Sequence, residues 1–185
     1  MFFWAMSFLA FINFSAAEAG KVVRIVSQVE AYAFRAQQKL PLTQDFTLMT
    51  GDEVFSENSI LSLELPSGNR LSLANQSQIK LTQNLSFLKG IIHVEARKKQ
   101  TVEADGVGFT TGQAEFEVSY AGDSVDLDVI AGSVEVSSPY VQTFVPEIIK
   151  ANQGFRFNKK ERSFSRRNFL IKFKNAPVFD KKKKG

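Results

Sequence analysis

The feature that most constrains the fold is a strict alternation of apolar and polar residues between positions 109 and 138. The apolar positions form three runs, which are Ala114, Phe116, Val118, Tyr120, then Val125, Leu127, Val129, and then Val134, Val136. Because successive side chains of a strand point to opposite faces, each run predicts a strand with one apolar and one polar face. Gly122-Asp123 and Gly132 follow the runs, so we predict antiparallel strands joined by short glycine turns.

The same turn-and-strand unit recurs along the chain. Residues 60–74 alternate on both sides of a Pro-Ser-Gly-Asn turn at Gly68, which predicts a hairpin. A second Gly-Asp turn is expected at Gly51-Asp52, and a strand pair is expected around Gly90 within residues 87–96. Units repeated at this spacing are typical of an all-β sandwich, barrel or solenoid. We therefore predict an all-β domain built as a sandwich or as a solenoid-like stack.

The residue types that carry chemistry are scarce. The chain has no cysteine, which excludes disulfides and Cys-based zinc sites, and His93 is its single histidine. A metal centre or a catalytic triad needs several partnered groups, so we interpret His93 as structural or merely exposed. The sequence contains no glycine-rich phosphate loop, nucleophile elbow or metalloprotease helix. We expect no enzyme activity and no cofactor.

Four acids alternate with the apolar residues, namely Glu115, Glu117, Asp126 and Asp128. They allow three readings, which are a calcium site, a paired-acid hydrolase site and a solvated outer face of the sheet. Alternation alone explains the acids, so the outer face is favoured. Like charges opposite each other destabilise a sheet, so we expect Lys or Arg between them.

The first residues predict export. Residues 2–14 are apolar, and Ala17-Glu18-Ala19 has the spacing that signal peptidase accepts, with cleavage before Gly20. No Lys or Arg precedes the apolar run, which leaves an uncleaved anchor as an alternative for residues 1–19. A buried N-terminal helix is a third reading. We favour export to the periplasm or cell envelope.

Charge is divided unevenly between the body and the C-terminal end. Residues 1–155 carry 11 Lys/Arg against 17 Asp/Glu, and residues 156–185 carry 12 against 2. The basic extension, residues 158–185, interleaves cations with phenylalanines, which suits an anionic membrane surface. Candidate residues for such binding are Lys159, Lys160, Arg162, Arg166, Arg167, Lys181, Lys182, Lys183 and Lys184. The alternative is a last amphipathic strand or two, with Phe155, Phe157 and then Phe169, Ile171 and Phe173 on the core face. Export argues against a nucleic-acid partner, and we expect the last residues to be disordered.

The ordered motifs of residues 20–157 resemble the FecR-like periplasmic domain family. They are GKVVRIVSQVEAY, LPLTQDFTLMTGDEVFSENSILSLELPSGNRLSL, LKGIIHVEA, TTGQAEFEVS and VIAGSVEVSS. Three turn positions depart from the family pattern, at Ser27-Gln28, Ser67-Gly68 and Gly112-Gln113. The resemblance implies an all-β domain outside the cytoplasm.

In the regulators that name the family, this domain joins a cytoplasmic anti-sigma segment to a C-terminal signalling part, and this sequence shows neither. The resemblance therefore implies a stand-alone exported module that binds an envelope protein or a cell-wall polymer. The alternatives are a component of a sigma/anti-sigma relay with a missing N-terminal segment and a carbohydrate-active protein that uses the acidic strand face.

Overall fold

A computed structural model describes residues 17–25, 31–138 and 145–169, and these residues form strands and no helix. The strands are β1 (Glu18–Ile25), β2 (Ala31–Arg35), β3 (Gln38–Pro41), β4 (Thr47–Met49), β5 (Glu53–Ser56), β6 (Leu61–Glu64), β7 (Arg70–Leu73), β8 (Ser77–Lys80), β9 (Leu85–Ala96), β10 (Gln100–Ala104), β11 (Val107–Thr111), β12 (Ala114–Tyr120), β13 (Ser124–Ser137), β14 (Glu147–Lys150), β15 (Gln153–Asn158) and β16 (Ser163–Arg167). The predicted all-β fold class is confirmed.

Two sheets share the long strands β9 and β13 in a barrel-like arrangement. The first sheet has the order β4-β1-β6-β7-β9-β12-β13-β15-β16. The second has the order β3-β2-β5-β8-β9-β10-β11-β13-β14. The apolar side chains of both sheets form one core cluster.

The buried core residues lie at the apolar positions of the alternating pattern, as the sequence predicts. Phe116, Val118, Leu127 and Val129 are fully buried on the inner face of the first sheet. The hairpin at residues 60–74 is also confirmed, since β6 pairs with β7 and Gly68 turns the chain with a φ of 82°. Burial of such side chains is the main source of stability, at about 25 cal/mol per Å² of apolar surface.

Turns at three of the predicted glycines join separate strands. Gly51 and Gly122 have positive φ values, as Gly68 does, and a glycine adopts this conformation without steric cost. Gly122 and Asp123 connect β12 to β13. Asp52 does more than close its turn, because its buried carboxylate accepts hydrogen bonds from Arg35 Nε at 2.8 Å and from the Met49 amide at 2.9 Å. The hydrogen bond with Asp52 raises the pKa of Arg35.

Gly90 and Gly132 do not separate strands, which corrects the prediction at both positions. Each lies inside a continuous strand, β9 or β13, at the point where that strand leaves one sheet and enters the other. Their φ values are 99° and 78°. The register shifts by one residue beside each bend, because Leu88 in β9 and Ile130 in β13 have no partner in the ladder. A bulge with a left-handed glycine bends a strand without ending it.

Two further differences concern strand direction and the C-terminal region. β9 and β10 pair in parallel through Val102 and Leu85, whereas we expected antiparallel pairs throughout. β9 crosses between the sheets, so β10 returns to the second sheet beside the start of β9 in the same direction. The sheet also continues past residue 157, since β16 pairs with β15.

The part of the chain that the structure describes contains no helix long and apolar enough to span a membrane.

Candidate functional site

Two buried carboxylates and two arginines form a network on the outer side of the first sheet, which we call the charged face: Asp126, Asp128, Arg156 and Arg167. Arg156 lies opposite Asp126 in the β13–β15 register, and its guanidinium donates two hydrogen bonds to that carboxylate, at 2.6 and 2.8 Å. Arg167, on β16, donates to Asp128, and its Nε lies 3.7 Å from Asp126. Asp126 and Asp128 are 3% and 1% exposed.

Three of the four acids, Glu117, Asp126 and Asp128, are buried, which corrects the solvated-face reading for these three, whereas the side chain of Glu115 is 43% exposed. Glu117, paired with Asp128 across β12 and β13, is also only 1% exposed. Arginines do lie beside Asp126 and Asp128, but they come from β15 and β16 and not from between the facing acids of β12 and β13, where we expected Lys or Arg. Burial of an unpaired carboxylate is costly, so the contacts with Arg156 and Arg167 offset the cost of burying Asp126 and Asp128. Among the described residues, no group of three or more His, Asp or Glu could hold a metal ion.

Of the five candidate cations that the structure describes, all but Arg162 contact acids of the body. Lys159 Nζ lies 2.9 Å from Asp105, and Lys160 Nζ lies 2.8 Å from Asp123. The contact with Asp123 raises the pKa of Lys160. These contacts lower the charge that the segment offers to an anionic surface.

The remaining candidates divide into one further ion pair, one exposed cation and a terminal group. Arg166 pairs with Glu147 at 2.5 Å, whereas Arg162 is exposed in the turn between β15 and β16. Lys181, Lys182, Lys183 and Lys184 lie outside the described residues. Attachment to an anionic surface therefore stays a prediction that depends on Arg162 and the terminal lysines. Phe155 and Phe157 lie in the core, as the alternative reading of this segment expected.

His93 lies on the same outer side, 4% exposed, with Glu117 and Ser72 as its cross-strand partners. Its Nε2 lies 3.3 Å from Glu115 Oε1. Burial lowers the pKa of His93, and the attraction to Glu115 opposes that shift without reversing it. The pKa of Glu95, the residue two positions along β9, is raised by burial and by the charge of Glu115. The arrangement is compatible with a neutral, structural histidine.

The second sheet carries a different kind of outer surface, a row of side chains across four strands. Tyr32, Phe55, Gln78 and Lys89 are successive cross-strand neighbours on β2, β5, β8 and β9. The Tyr32 and Phe55 rings stack with centroids 4.9 Å apart. The Tyr32 hydroxyl donates a hydrogen bond of 2.6 Å to Glu57. The row thus runs from aromatic rings through an amide to a cation.

Two adjoining pockets open along this row, with volumes of about 500 and 620 Å³, and both are lined by Gln76, Gln78 and Lys89. The first also includes Tyr32 and Phe55, and the second includes the bend of β9 and the end of β12. We call the combined surface the rim groove, defined by Tyr32, Phe55, Gln76, Gln78, Leu88, Lys89 and Tyr120. Leu88 is 38% exposed there.

The bend at Gly90 shapes the middle of the rim groove. A Cβ atom on Gly90 would lie 2.3 Å from Ser77 Oγ and 2.6 Å from Ser77 Cα, so only glycine allows this approach. The buried Ser77 hydroxyl bridges to Ile91, accepting from its amide and donating to its carbonyl, each at 3.0 Å. Within the described residues, the side chains of Gln76, Gln78 and Lys89 make no hydrogen bond or ion pair. Their polar groups are available to a ligand.

Sequence reasoning did not identify the rim groove. In Ala-Tyr-Ala-Phe at residues 31–34 both faces of the strand are apolar, so alternation could not show that the aromatic side chains point outward. The signal in the sequence was the size of the side chains. The small Ala31 and Ala33 lie in the core, and the larger rings of Tyr32 and Phe34 lie on the opposite face of the strand. Phe34 and Phe55, at 5.6 Å, complete an aromatic cluster with Tyr32.

A scan against models of protein families and a search of curated proteins found no match. Solved structures do match. Two crystal structures of a "putative anti-sigma factor" from Parabacteroides distasonis ATCC 8503, at 1.65 and 2.50 Å resolution, share 16% and 17% sequence identity with this chain. Their TM-scores are 0.56 and 0.52. Each match covers 63% of this chain and 59% of the other, so the chain matches about three fifths of their length. The described domain therefore has the fold of these Parabacteroides structures.

Proposed function

We propose that this chain is an exported FecR-like module that binds a component of the cell envelope and has no catalytic role. The FecR-like assignment is supported by the ordered sequence motifs and by the fold shared with the Parabacteroides structures. The export segment supports a place in the periplasm or envelope. The partner is an envelope protein or a cell-wall polymer.

The proposal depends on one difference between the two outer surfaces. The charged side chains of the charged face pair with one another, whereas the amide side chains of the rim groove do not. On the charged face, Arg156 and Arg167 engage Asp126 and Asp128, so these two carboxylates are already paired with cations. In the rim groove, aromatic and amide side chains surround open space. Such a mixture of apolar walls and a few polar groups is typical of binding sites.

Site-specific photo-crosslinking in intact cells tests this function. A photoreactive amino acid at Gln78 places the probe inside the rim groove, and the same residue at Gln83 places it in a separate polar pocket. We expect crosslinks to an envelope component from position 78 and few or none from position 83. Absence of crosslinks from position 78, or equal crosslinks from both positions, contradicts the proposal.

The basic extension provides a second, weaker attachment to anionic lipid. Each Lys or Arg near such a surface is worth about 1 kcal/mol, so the four terminal lysines dominate over Arg162, the one described candidate for which no ion pair is found. Replacing Lys181, Lys182, Lys183 and Lys184 by serine should reduce co-sedimentation with anionic vesicles at low salt. Neutral vesicles are the control. Unchanged sedimentation of the variant contradicts this part of the proposal.

Envelope signalling is the second candidate function, favoured by the description of the Parabacteroides proteins. In that case the domain would relay the state of its ligand to a sigma factor. Deletion of the gene should then change transcripts that depend on an extracytoplasmic sigma factor. An unchanged transcript profile, with the groove crosslink retained, favours the binding module alone.

A further inference from the structure

The geometry of the rim groove points to a more specific ligand: we infer that it holds a glycan that carries acetamido groups. This inference rests on the binding function proposed above and names the chemical class of its ligand. Three observations support it, which are an ordered aromatic wall, amide side chains next to that wall, and the position of the row within the sheet.

The aromatic wall is built before a ligand arrives. Phe55 stacks on Tyr32 with an interplanar angle of 15°, and Phe34 packs edge-on against both rings. Lys39 Nζ lies 3.7 Å from the Tyr32 ring centroid, so the half-buried Phe55 is the ring best placed to receive a ligand. A sugar ring presents C–H groups on one face, and the negative face of an aromatic ring attracts them. A fixed ring also binds at a small entropic cost.

The polar side chains match the edge of an acetamido sugar. An amide side chain offers a donor and an acceptor side by side, and an acetamido group offers the reciprocal pair. Gln78 lies next to Phe55 in the ladder, and Gln76 lines the same pocket. Lys89 is the next neighbour of Gln78 and supplies further donors for hydroxyl or carbonyl oxygens. Two strand spacings place Lys89 about 10 Å from Phe55, a span that accommodates more than one sugar ring.

The position of the row disfavours an extended peptide. Peptides that add to a sheet pair with the free backbone of an edge strand. The row crosses β2, β5, β8 and β9, and each of these strands has neighbours on both sides in the second sheet. At Tyr32, Phe55 and Gln78 both edges of the strand are therefore already paired. A ligand in the rim groove must bind through side chains, which suits a glycan.

The test titrates the full-length chain with chitotetraose, a tetramer of N-acetylglucosamine, and follows binding by calorimetry or NMR. Cellotetraose, which has the same backbone without acetamido groups, is the matched sugar. We expect chitotetraose to bind at least about tenfold more tightly, because the amide pairs are lost with cellotetraose. Phe55→Ala and Gln78→Ala should each weaken chitotetraose binding by about tenfold. Gln83→Ala, in the separate polar pocket, should leave it unchanged.

Three outcomes overturn the inference. These are equal affinity for the two sugars, chitotetraose affinity that survives both substitutions, and no chitotetraose binding. Because Phe55→Ala removes packing, its melting temperature is compared with wild type, and the surface change Gln78→Ala tests the site independently. If position 78 crosslinks to a protein and chitotetraose does not bind, the glycan is wrong and the binding module stands. If neither crosslink nor sugar binding is found, both proposals fail.

Discussion

The charged face and the rim groove lie on different sheets of one domain and use polar residues in opposite ways. On the charged face, Arg156 and Arg167 hold buried carboxylates, so the charges stabilise the sheet. In the rim groove, Gln76 and Gln78 line open space beside aromatic rings. The acids that stand out in the sequence therefore stabilise the fold, whereas the proposed binding surface carries little charge.

The strand bend at Gly90 offers the strongest way to disrupt the rim groove. Gly90→Val combines a positive φ with a Cβ that would overlap the buried Ser77, so we expect a loss of about 4 kcal/mol in the free energy of unfolding. Gly122→Val is the matched control, since Gly122 also has a positive φ but no atom within 4 Å of a Cβ. It should cost about 1–2 kcal/mol. Urea unfolding measures both, and equal losses would show that the close approach to Ser77 does not matter.

The charged face is disrupted most directly at Arg167. Arg167→Ala leaves Asp128 buried without its cation, and we expect a loss of about 3 kcal/mol because breaking a buried ion pair strands a charge. Arg162→Ala removes an exposed arginine from the neighbouring turn and should change stability by less than about 0.5 kcal/mol. Chemical denaturation of both variants checks this. A small effect at Arg167 would mean that water reaches Asp128.

The sequence predicts the fold well where one face of a strand is apolar and the other polar. The alternation at Phe116 and Val118 identified the core, and the breakers at Gly68 identified the hairpin. Gly90 and Gly132 were misread as turns because a left-handed glycine has the same appearance in sequence whether it ends a strand or bends one. The decision depends on whether a second sheet offers a partner beyond the glycine, which is a long-range property.

The sites were harder to predict than the fold. Alternation indicated that the acids share an outer face, but their burial depends on Arg156 and Arg167, which lie far along the chain. The rim groove combines Phe55, Gln78 and Lys89 from three strands, and no local motif joins them. Register between distant strands creates both surfaces, so composition alone could show neither.

Acidification should lower the stability of the fold through His93, which lies on the first sheet, without changing binding at the rim groove. Burial lowers the pKa of His93 in the fold, so below its ordinary value of about 6.5 the unfolded chain binds the proton first. Stability therefore falls as the pH drops below about 6.5, by up to about 1.4 kcal/mol per pH unit, until the folded-state pKa is reached. Glu117, Glu115 and Ser72 face the imidazole, and the lowered pKa already includes the attraction to Glu115.

The check is urea unfolding between pH 5.5 and 7.5 for wild type and His93→Gln. The variant should show a shallower fall with acid. Glu95 has a raised pKa, so its protonation favours the folded state and acts in the opposite direction, which is common to both proteins. Binding at the rim groove should change little over this range, because Phe55, Gln76 and Gln78 do not titrate. A His93→Gln curve that falls with acid as steeply as the wild-type curve contradicts the lowered pKa of His93.

The smallest effect is expected where a charged pair is exposed. Lys160 and Asp123 contact at 2.8 Å, but both side chains are about 70% exposed, so water screens the pair and ordering two side chains offsets its attraction. Lys160→Ala should leave the melting temperature within the scatter of repeat measurements, at low and at high salt. Arg167→Ala, measured in parallel, should shift it clearly. If the two variants behave alike, burial of the carboxylate does not distinguish the ion pairs, and the charged face is held together by something other than its arginines.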